Sequence, residues 1–538
     1  RTAGRKIREL ILAMKMGREV PKEKILEGYL NTIYFGRGAY GIEAAAKSYF
    51  LKSASELNLS EAATLAAILN NPAGLNPSAG EKSRERLLGR YQYVLDQMLA
   101  NGYINQADHD AAHSALPEFP EVPVSDRYGG PKGFLVAQVE QELSNLGFSD
   151  AEVQGGGLKV ITTLDKNMQD AAVSTAQKYT EEAASKAKPQ QDASQLHVAI
   201  SSVDTATGGV LAMYGGPDYT TNSRNWSTTP RPAASTFKSF ATVAGLRNGY
   251  SLDSTLKGDT FTPRGEGVPV RNEFSEQYGD VTLRKAVAES INTAFVDMTE
   301  SMNNGPAAVI KAANDAGAPT GAGWDANNRI ALGAAEVSPL NMANAYASLA
   351  DSGKRKETHF VAKVLDRNGN TVYEAKNEAT QAIEENVAAN VTDALTSVVE
   401  EGTGAKASQL NRPVAGKTGT NGVDDAITSA WFVGYTRQIS TAVMYVAGDS
   451  GNENLDAYKK PGDKTFFGSG YPLTTWVEYM QTATKGQEVK QFDKAKPIQG
   501  KSIAPSESPS PSVEPSPSVD PSPSAQPTEE SSIEGRRP

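Results

Sequence analysis

The chain has 538 residues, a net charge of −10 and a pI near 5.2, so it can hold roughly two to four domains, and its acidic balance argues against a nucleic-acid binder. It contains no cysteine, which excludes disulfides, thiolate metal sites and cysteine nucleophiles. Its four histidines, His109, His113, His197 and His359, read as scattered surface or packing residues without metal-ligand spacing, so neither a metal nor a cofactor is expected. No stretch approaches the ~18 consecutive apolar residues of a bilayer span. There is no signal peptide, and Arg1 falls inside a helical pattern, so the expectation is an N-terminally truncated piece of a larger protein.

In chain order, residues 1–80 read as all-helical. Ile7, Leu10, Ile11 and Met14 recur at helical spacing, and a second helix starts at Pro21 and carries Ile25, Leu26, Tyr29, Leu30 and Ile33. Gly36, Gly38 and Gly41 mark a turn before helices from Ile42 and from Ser60 to Asn70. Residues 1–24 hold eight basic and three acidic side chains, either a solvated helical face or a seat for an anionic pyrophosphate near a membrane surface. Residues 81–194 read as a connecting region: helices at 84–99 and 134–143, a Pro- and Gly-rich loop at 117–130, and a strand within 155–164. That strand feeds a helix from Lys166 to about Ala184, and a polar linker follows. A third region, 195–485, opens with a hairpin of residues 197–203 and 210–214, continues mostly helical to about Ala350, and ends in strands at 413–420, 429–435 and 440–447. A hairpin first, helices in the middle and strands last give an α+β domain whose antiparallel sheet is flanked by helices. Residues 486–538 form a Pro/Ser-rich tail, with Ser-Pro repeats from about Pro497, that can bury no core and is expected to be disordered. Its end, Ile533-Glu-Gly-Arg536, spells a protease cleavage site, by chance or as an engineered scar.

The chemistry concentrates at Ser235. Prolines at 230 and 232 bar a helix upstream, and the run after Ala234 is helix-competent as far as Asn248-Gly249. Ser235 therefore lies at a helix start with Lys238 one turn on, along the same face. A hydroxyl beside an amine there can become a nucleophile without histidine, and the free N–H groups of the first turn point at an oxygen developing charge. Such spacing alone is common: Ser185/Lys188 and Ser254/Lys257 share it, and Ser223/Asn225 and Ser450/Asn452 share the S-x-N pattern. What sets Ser235/Lys238 apart is Ser290-Ile-Asn292, 55 residues after Ser235 and between two helical runs, and Lys417-Thr418-Gly419-Thr420, 127 residues after Ser290 and on a strand. Ser290 and Asn292 either reach into a cleft or cap a helix. The Lys417 strand either receives a peptide as an added strand, with Gly419 letting another backbone come close, or is an edge protected by a lysine.

These three motifs, with Ala331-Leu-Gly-Ala-Ala-Glu-Val-Ser-Pro-Leu340, residues 343–350 and Ala430-Trp-Phe-Val-Gly-Tyr-Thr436, resemble the transpeptidase domain of penicillin-binding proteins. Arg5-Lys6-Ile7-Arg8-Glu9, Ile25-Leu-Glu-Gly-Tyr-Leu-Asn31 and Arg37-Gly-Ala-Tyr-Gly-Ile-Glu-Ala-Ala-Ala46 with Tyr49-Phe50 resemble the later motifs of a peptidoglycan glycosyltransferase domain. Together the chain resembles a bifunctional, class A penicillin-binding protein that keeps the end of the glycosyltransferase domain and the whole transpeptidase domain.

The resemblance implies that Ser235 attacks a D-Ala-D-Ala-like peptide and Lys238, as free amine, takes its proton. A neutral lysine near pH 7 needs its pKa lowered by ~3 units, about 4 kcal/mol, which burial, the helix end and Lys417 would supply. Ser290 and Asn292 would relay the leaving-group proton and hold the substrate amide. Lys417, Thr418, Gly419 and Thr420 would bind the terminal carboxylate, and the N–H groups of Ser235 and Thr420 would hold the oxyanion. A neighbouring stem-peptide amine then takes the ester, and a β-lactam mimics the donor. Arg5 and Lys6 would hold the diphosphate of a lipid-linked precursor, with Glu9 a second carboxylate. The family's E-D-x-x-F and G-A-S-T-I-T-Q-Q motifs are absent from this sequence, so no glycosyl transfer is expected of it. Implied partners are stem peptides, lipid-linked precursor, β-lactams and other cell-wall synthesis proteins. The implied location is the extracytoplasmic face of a bacterial plasma membrane, reached through a segment outside this sequence. The alternatives are a DD-carboxypeptidase or serine β-lactamase, although the E-x-x-L-N block of class A β-lactamases does not follow Asn292, and a non-catalytic β-lactam sensor.

Overall fold

The computed structural model describes residues 13–37, 39, 41–120, 128–149, 152–153, 158–366, 368–423 and 426–500. The first part is helical, as expected: residues 13–19, α1 (Lys22–Thr32), α2 (Ile42–Phe50), α3 (Leu59–Ile68), α4 (Glu81–Ala100) and α5 (Gln106–His113). Their apolar stripes meet in one core, in which Tyr49, Leu87, Tyr91 and Leu95 are fully buried. α3 starts where Asn58 caps it, the Asn58 side chain accepting from Glu61 N–H while the Glu61 carboxylate accepts from Asn58 N–H. The reading that the histidines are scattered is corrected for two of them: His109 and His113 stand one turn apart on α5, and both face Asp96 on α4. Arg5, Lys6, Glu9 and most of the first expected helix lie outside the described residues.

Next come α6 (Lys132–Asn145), β1 (Lys159–Thr162), α7 (Lys166–Lys186), β2 (Leu196–Asp204), β3 (Val210–Tyr214) and α8 (Lys238–Arg247). Then follow α9 (Leu283–Ala288), α10 (Asn292–Ser301), α11 (Gly305–Ala316), α12 (Pro339–Ala350), β4 (Val361–Leu365), β5 (Thr371–Glu374) and α13 (Glu385–Glu400). The last elements are β6 (Ala415–Val423), β7 (Ala426–Tyr435), β8 (Ile439–Ala447) and α14 (Tyr471–Ala483). β1 finds its partner about two hundred residues downstream, in an antiparallel sheet ordered β1-β4-β5. The Glu142 carboxylate on α6 ties that sheet in by accepting from Phe360 and Val361 N–H at 2.6 and 3.2 Å.

The main sheet is antiparallel with order β6-β7-β8-β2-β3, so the early hairpin and the late strands join where β8 pairs with β2. Helices cover both faces: α8 and α12 with their neighbours on one, α7 and α14 on the other. Every residue of β8 is consequently buried, and a strand with two dry faces shows little alternation in its sequence. β6 is left as an edge, and its Lys417, Gly419 and Thr420 pair with Val433, Trp431 and Ala430.

The expected tail needs a boundary correction. Residues 487–500 are irregular, yet they dock on the domain. Phe492 packs edge-on against Tyr435 with centroids 5.6 Å apart, Ile498 lies against the core, and Lys496 exchanges backbone hydrogen bonds with the Asn386 side chain. Phe492 and Ile498 supply the apolar anchors that the Ser-Pro repeats lack. Residues 501–538, including Ile533 to Arg536, lie outside the described residues.

Candidate active site

Ser235 sits, half-buried, in a single 3-10 turn (Ala234–Phe237) that runs directly into α8. Three elements grip this turn. Ala233 and Ala234 N–H donate to Ala335 and Gly333 O, both at 2.9 Å. The Pro232 carbonyl accepts from Ser429 Oγ at 3.0 Å and Trp431 Nε1 at 2.9 Å. From α12, buried Tyr346 donates its hydroxyl to Thr236 O at 2.6 Å and shares a 2.7 Å hydrogen bond with Ser239 Oγ. The grip is needed because Ala234 adopts φ 50°, a left-handed conformation that costs a residue with a Cβ about 1–2 kcal/mol. Gly333, itself at φ 81°, makes the contact possible: a Cβ there would stand 2.0 Å from Ala234 O. Gly333→Ala is therefore expected to lower stability in urea by at least about 2 kcal/mol and to slow penicillin labelling of the folded fraction, as the turn is pushed off its seat.

Lys238, the first residue of α8, is wholly buried. Its Nζ donates to Asn292 Oδ1 at 2.7 Å, Ser290 O at 2.8 Å and Ser290 Oγ at 3.2 Å. Ser290 lies at φ 61° in the break between α9 and α10, and Asn292 opens α10. Ile291, the residue before α10, has no capping side chain, and Ser290 and Asn292 turn to Lys238. Asn292 Nδ2 donates to Arg271 O at 3.2 Å, which fixes the amide with its oxygen toward the amine. The structure thus brings Lys238, Ser290 and Asn292 into one hydrogen-bonded cluster next to Ser235.

β6 closes the site. Lys417 is wholly buried, its Nζ donating to Thr418 O at 3.3 Å. Thr418 Oγ1 is hydrogen-bonded to Thr403 Oγ1 at 2.7 Å, and Thr420 Oγ1 accepts from Gly468 N–H at 3.1 Å. A Cβ on Gly419 would stand 3.0 Å from Thr236 Cγ2 and 3.1 Å from Ala233 O. Among the described residues, the backbone for which Gly419 makes room is thus the chain's own turn at Ala233 to Thr236.

Burial holds the Lys238 amine well below the usual lysine range, and the Lys417 charge pushes it further down against the opposing pull of Glu273. Burial alone brings Lys417 down to about 7. The two buried ammonium groups repel each other, which disfavours both being charged at once. Desolvation raises the pKa of the Glu273 carboxylate, opposed by the Lys238 charge, although the residue as a whole is exposed.

The look-alike pairs are engaged elsewhere. Lys257 pairs with Asp297 at 3.5 Å, Ser254 Oγ accepts from Ser251 N–H, and Ser185 Oγ donates to Glu182 O. His197, a packing residue as expected, stacks on Trp226 at 4.9 Å, and its pKa is brought down to about 4 by burial. Sequence reasoning missed Tyr346 and Asn272. Asn272 accepts from Thr293 N–H and Oγ1, both at 3.1 Å, and donates to Gly258 and Glu276 O, which seats the start of α10. An asparagine in a polar loop and a tyrosine in a helix carry no local signal of such roles.

Family models for the penicillin binding protein transpeptidase domain and for a transglycosylase match residues 198–466 and 1–99. The curated relatives include penicillin-binding protein 1A of Mycolicibacterium smegmatis, 35% identical over 93% of this chain and 63% of the relative. Penicillin-binding protein 2D of Bacillus subtilis is 30% identical over 94% of this chain and 70% of the relative. The chain spans about three fifths of the length of penicillin-binding protein 1A from M. smegmatis and from Mycobacterium tuberculosis. Among solved structures, the PonA1 protein of M. tuberculosis in complex with penicillin V superposes with a TM-score of 0.61 at 30% identity, over 69% of this chain and 98% of that one. Penicillin-binding protein 1A of Haemophilus influenzae superposes at 0.59 over 89% of this chain and 88% of that one, at 20% identity, a likeness of fold. With the three motifs gathered around one buried amine on an antiparallel sheet between helices, and with both family models matched, the chain belongs to the class A penicillin-binding proteins.

Proposed function

We propose that this chain is a peptidoglycan DD-transpeptidase working through an ester on Ser235. The observation that carries the reading is Lys238: a wholly buried amine, one turn from Ser235, whose hydrogen-bond partners among the described residues are neutral oxygens. A buried amine whose hydrogen bonds go to neutral oxygens rather than to a carboxylate is suited to be a base. As a neutral amine it keeps two N–H donors, which match the 2.7 and 2.8 Å contacts. The longer contact to Ser290 Oγ is then free to reverse, the hydroxyl donating to Nζ.

In the first step Ser235 Oγ bonds to the penultimate D-Ala carbonyl carbon, and its proton passes to Lys238. The C–N bond breaks, and the D-Ala amine leaves with a proton relayed through Ser290. Asn292 holds the substrate amide. Lys417, charged, with Thr418 and Thr420 on either side of Gly419, receives the terminal carboxylate. The N–H groups of Ser235 and Thr420 hold the oxyanion. In the second step a stem-peptide amine attacks the ester, forms the cross-link and returns the proton to Ser235. A β-lactam acylates the same oxygen and, its ring opened, keeps its leaving group in the site.

The proposal takes residues 1–80 as the glycosyltransferase end, 81–194 as the connector and 195–485 as the transpeptidase domain. Arg5, Lys6 and Glu9 would face the lipid-linked precursor, but without an E-D-x-x-F glutamate this chain polymerises none. No helix among the described residues is long and apolar enough to cross a membrane. The proposed location is the extracytoplasmic membrane face.

The test offers a D-Ala-type thioester donor with and without a D-amino acid acceptor, beside a chromogenic cephalosporin. Acceptor-dependent amide product together with a long-lived cephalosporin adduct is expected. Hydrolysis unaffected by acceptor, or rapid cephalosporin turnover, would place the chain with carboxypeptidases or β-lactamases, and an adduct without any peptide chemistry would make it a sensor. The rate also has a sign with pH. The second-order acylation constant should rise as Lys238 loses its proton and fall above about 7, where Lys417 loses its charge. Lys417→Arg, which stays charged, should move that alkaline limb upward even if the plateau drops.

A further inference from the structure

The one cluster of potential metal ligands among the described residues lies away from the catalytic motifs, on the α4–α5 hairpin. His109 and His113 stand at i and i+4 on α5, so their rings project from one face, with centroids 4.6 Å apart. Both Nε2 atoms converge on a single oxygen, Asp96 Oδ1 on α4, at 2.9 and 3.2 Å. Tetrahedral bonds of about 2.0–2.1 Å place donors roughly 3.3 Å apart, so the two His–Asp distances need to open by only a few tenths of an ångström, and the three ligand atoms all lie within 4.8 Å of one another. His109 Nδ1 lies 3.0 Å from Asp110 Oδ1. A hydrogen bond there leaves the Nε2 lone pair for a metal and fixes the ring, the arrangement a carboxylate gives a ligating histidine.

The hairpin does not need an ion to bring these groups together. Buried Tyr91 donates to Ala112 O at 2.8 Å, Gln92 Nε2 donates to His113 O at 3.2 Å, and Asn105 caps α5. The ligands therefore project from helices already docked, with Asp96 exposed and His109 and His113 partly so.

We propose that Asp96, His109 and His113 form a site for a borderline divalent ion of the zinc class. Two imidazoles and one carboxylate suit Zn²⁺, with a water completing four-coordination at the open, solvent-facing position; Mg²⁺ and Ca²⁺ prefer oxygen ligands only. On binding, each Nε2 donates its lone pair and any proton it carried goes to solvent. The ion cross-links the C-terminal half of α4 to α5 and so stiffens the entry to the connecting region. It has no part in the acyl chemistry.

The test uses the full chain without an affinity tag, stripped with chelator and titrated with Co²⁺ followed by absorbance and with Zn²⁺ followed by calorimetry. One ion per chain is expected, with visible cobalt bands of low-symmetry coordination and slower hydrogen exchange across residues 91–113 when Zn²⁺ is present. Asp96→Asn and the double variant His109→Gln/His113→Gln should each weaken binding at least about tenfold, with the rate of penicillin labelling unchanged. Absence of cobalt bands and of heat with Zn²⁺ would overturn the site and leave an ordinary His–Asp pair. Undiminished binding in the double variant would place the ion elsewhere and overturn the site as well.

Discussion

Ser235→Ala is expected to take up no penicillin: intact-mass analysis should show no added drug mass, and the acylation rate should fall by at least about 10⁵-fold, since the hydroxyl that forms the ester is gone. The structure makes this a clean substitution. The turn is held through main-chain groups of Ala233, Ala234, Pro232 and Thr236 and through Tyr346, none of which uses the Ser235 hydroxyl. Ser235 is half-buried, so losing one oxygen should leave the melting temperature within about 2 °C of the parent. Reversible binding of a D-Ala-D-Ala peptide should survive, because Lys417 and the threonines beside it are untouched. Ser290 is the competing hydroxyl, since its Oγ lies 3.2 Å from Lys238 Nζ. Peptide mapping separates them: an adduct on Ser290, or any adduct that forms in the variant at full yield, ends the Ser235 assignment.

What could be read from the sequence followed the range of the forces involved. The Ser235 turn was legible because prolines at 230 and 232 and the apolar run after them act locally, and the β2–β3 hairpin because its turn is short. β1 was legible as a strand, but its partner in β4 was not, since pairing across about two hundred residues leaves no local mark. Neither α13 nor α14 is among the expected elements. α14 is buried almost all round, with Trp476 driven against Phe432 at 5.1 Å, so it lacks the polar stripe of a surface helix. The tail boundary misled because composition averages over a window, and two apolar residues, Phe492 and Ile498, suffice to dock an otherwise polar stretch. At the site, motif residues were visible as motifs, whereas Tyr346, Asn272 and the Gly333 contact act through main-chain atoms far away in sequence. Gly419 shows the same limit: its missing side chain was legible, but the neighbour that requires it to be missing, the turn at Ala233 and Thr236, was not.

Lys238→Met should separate the base from the nucleophile. Methionine fills a similar volume without an amine, so the Asn292 Oδ1 and Ser290 O acceptors each lose a donor, at about 1 kcal/mol apiece. Against that, the variant no longer has to strip water from a buried amine. The two contributions oppose, and stability should stay within about 2 kcal/mol of the parent. Acylation should nonetheless slow by about 10²–10⁴-fold, the ordinary worth of a positioned base. The adduct should still appear on Ser235 at long exposure, unlike the outcome for Ser235→Ala. The pH profile carries the sharper signature. Its acid limb reports deprotonation of Lys238 and should vanish, while the fall above about 7 belongs to Lys417 and should remain. The other candidate for the acid limb is Glu273, an exposed carboxylate whose charge bears on that of Lys238. If Lys238→Met acylates at near the parent rate with the acid limb in place, and Glu273→Gln removes that limb, the proton acceptor is the carboxylate and the amine only holds Ser290 and Asn292 in position.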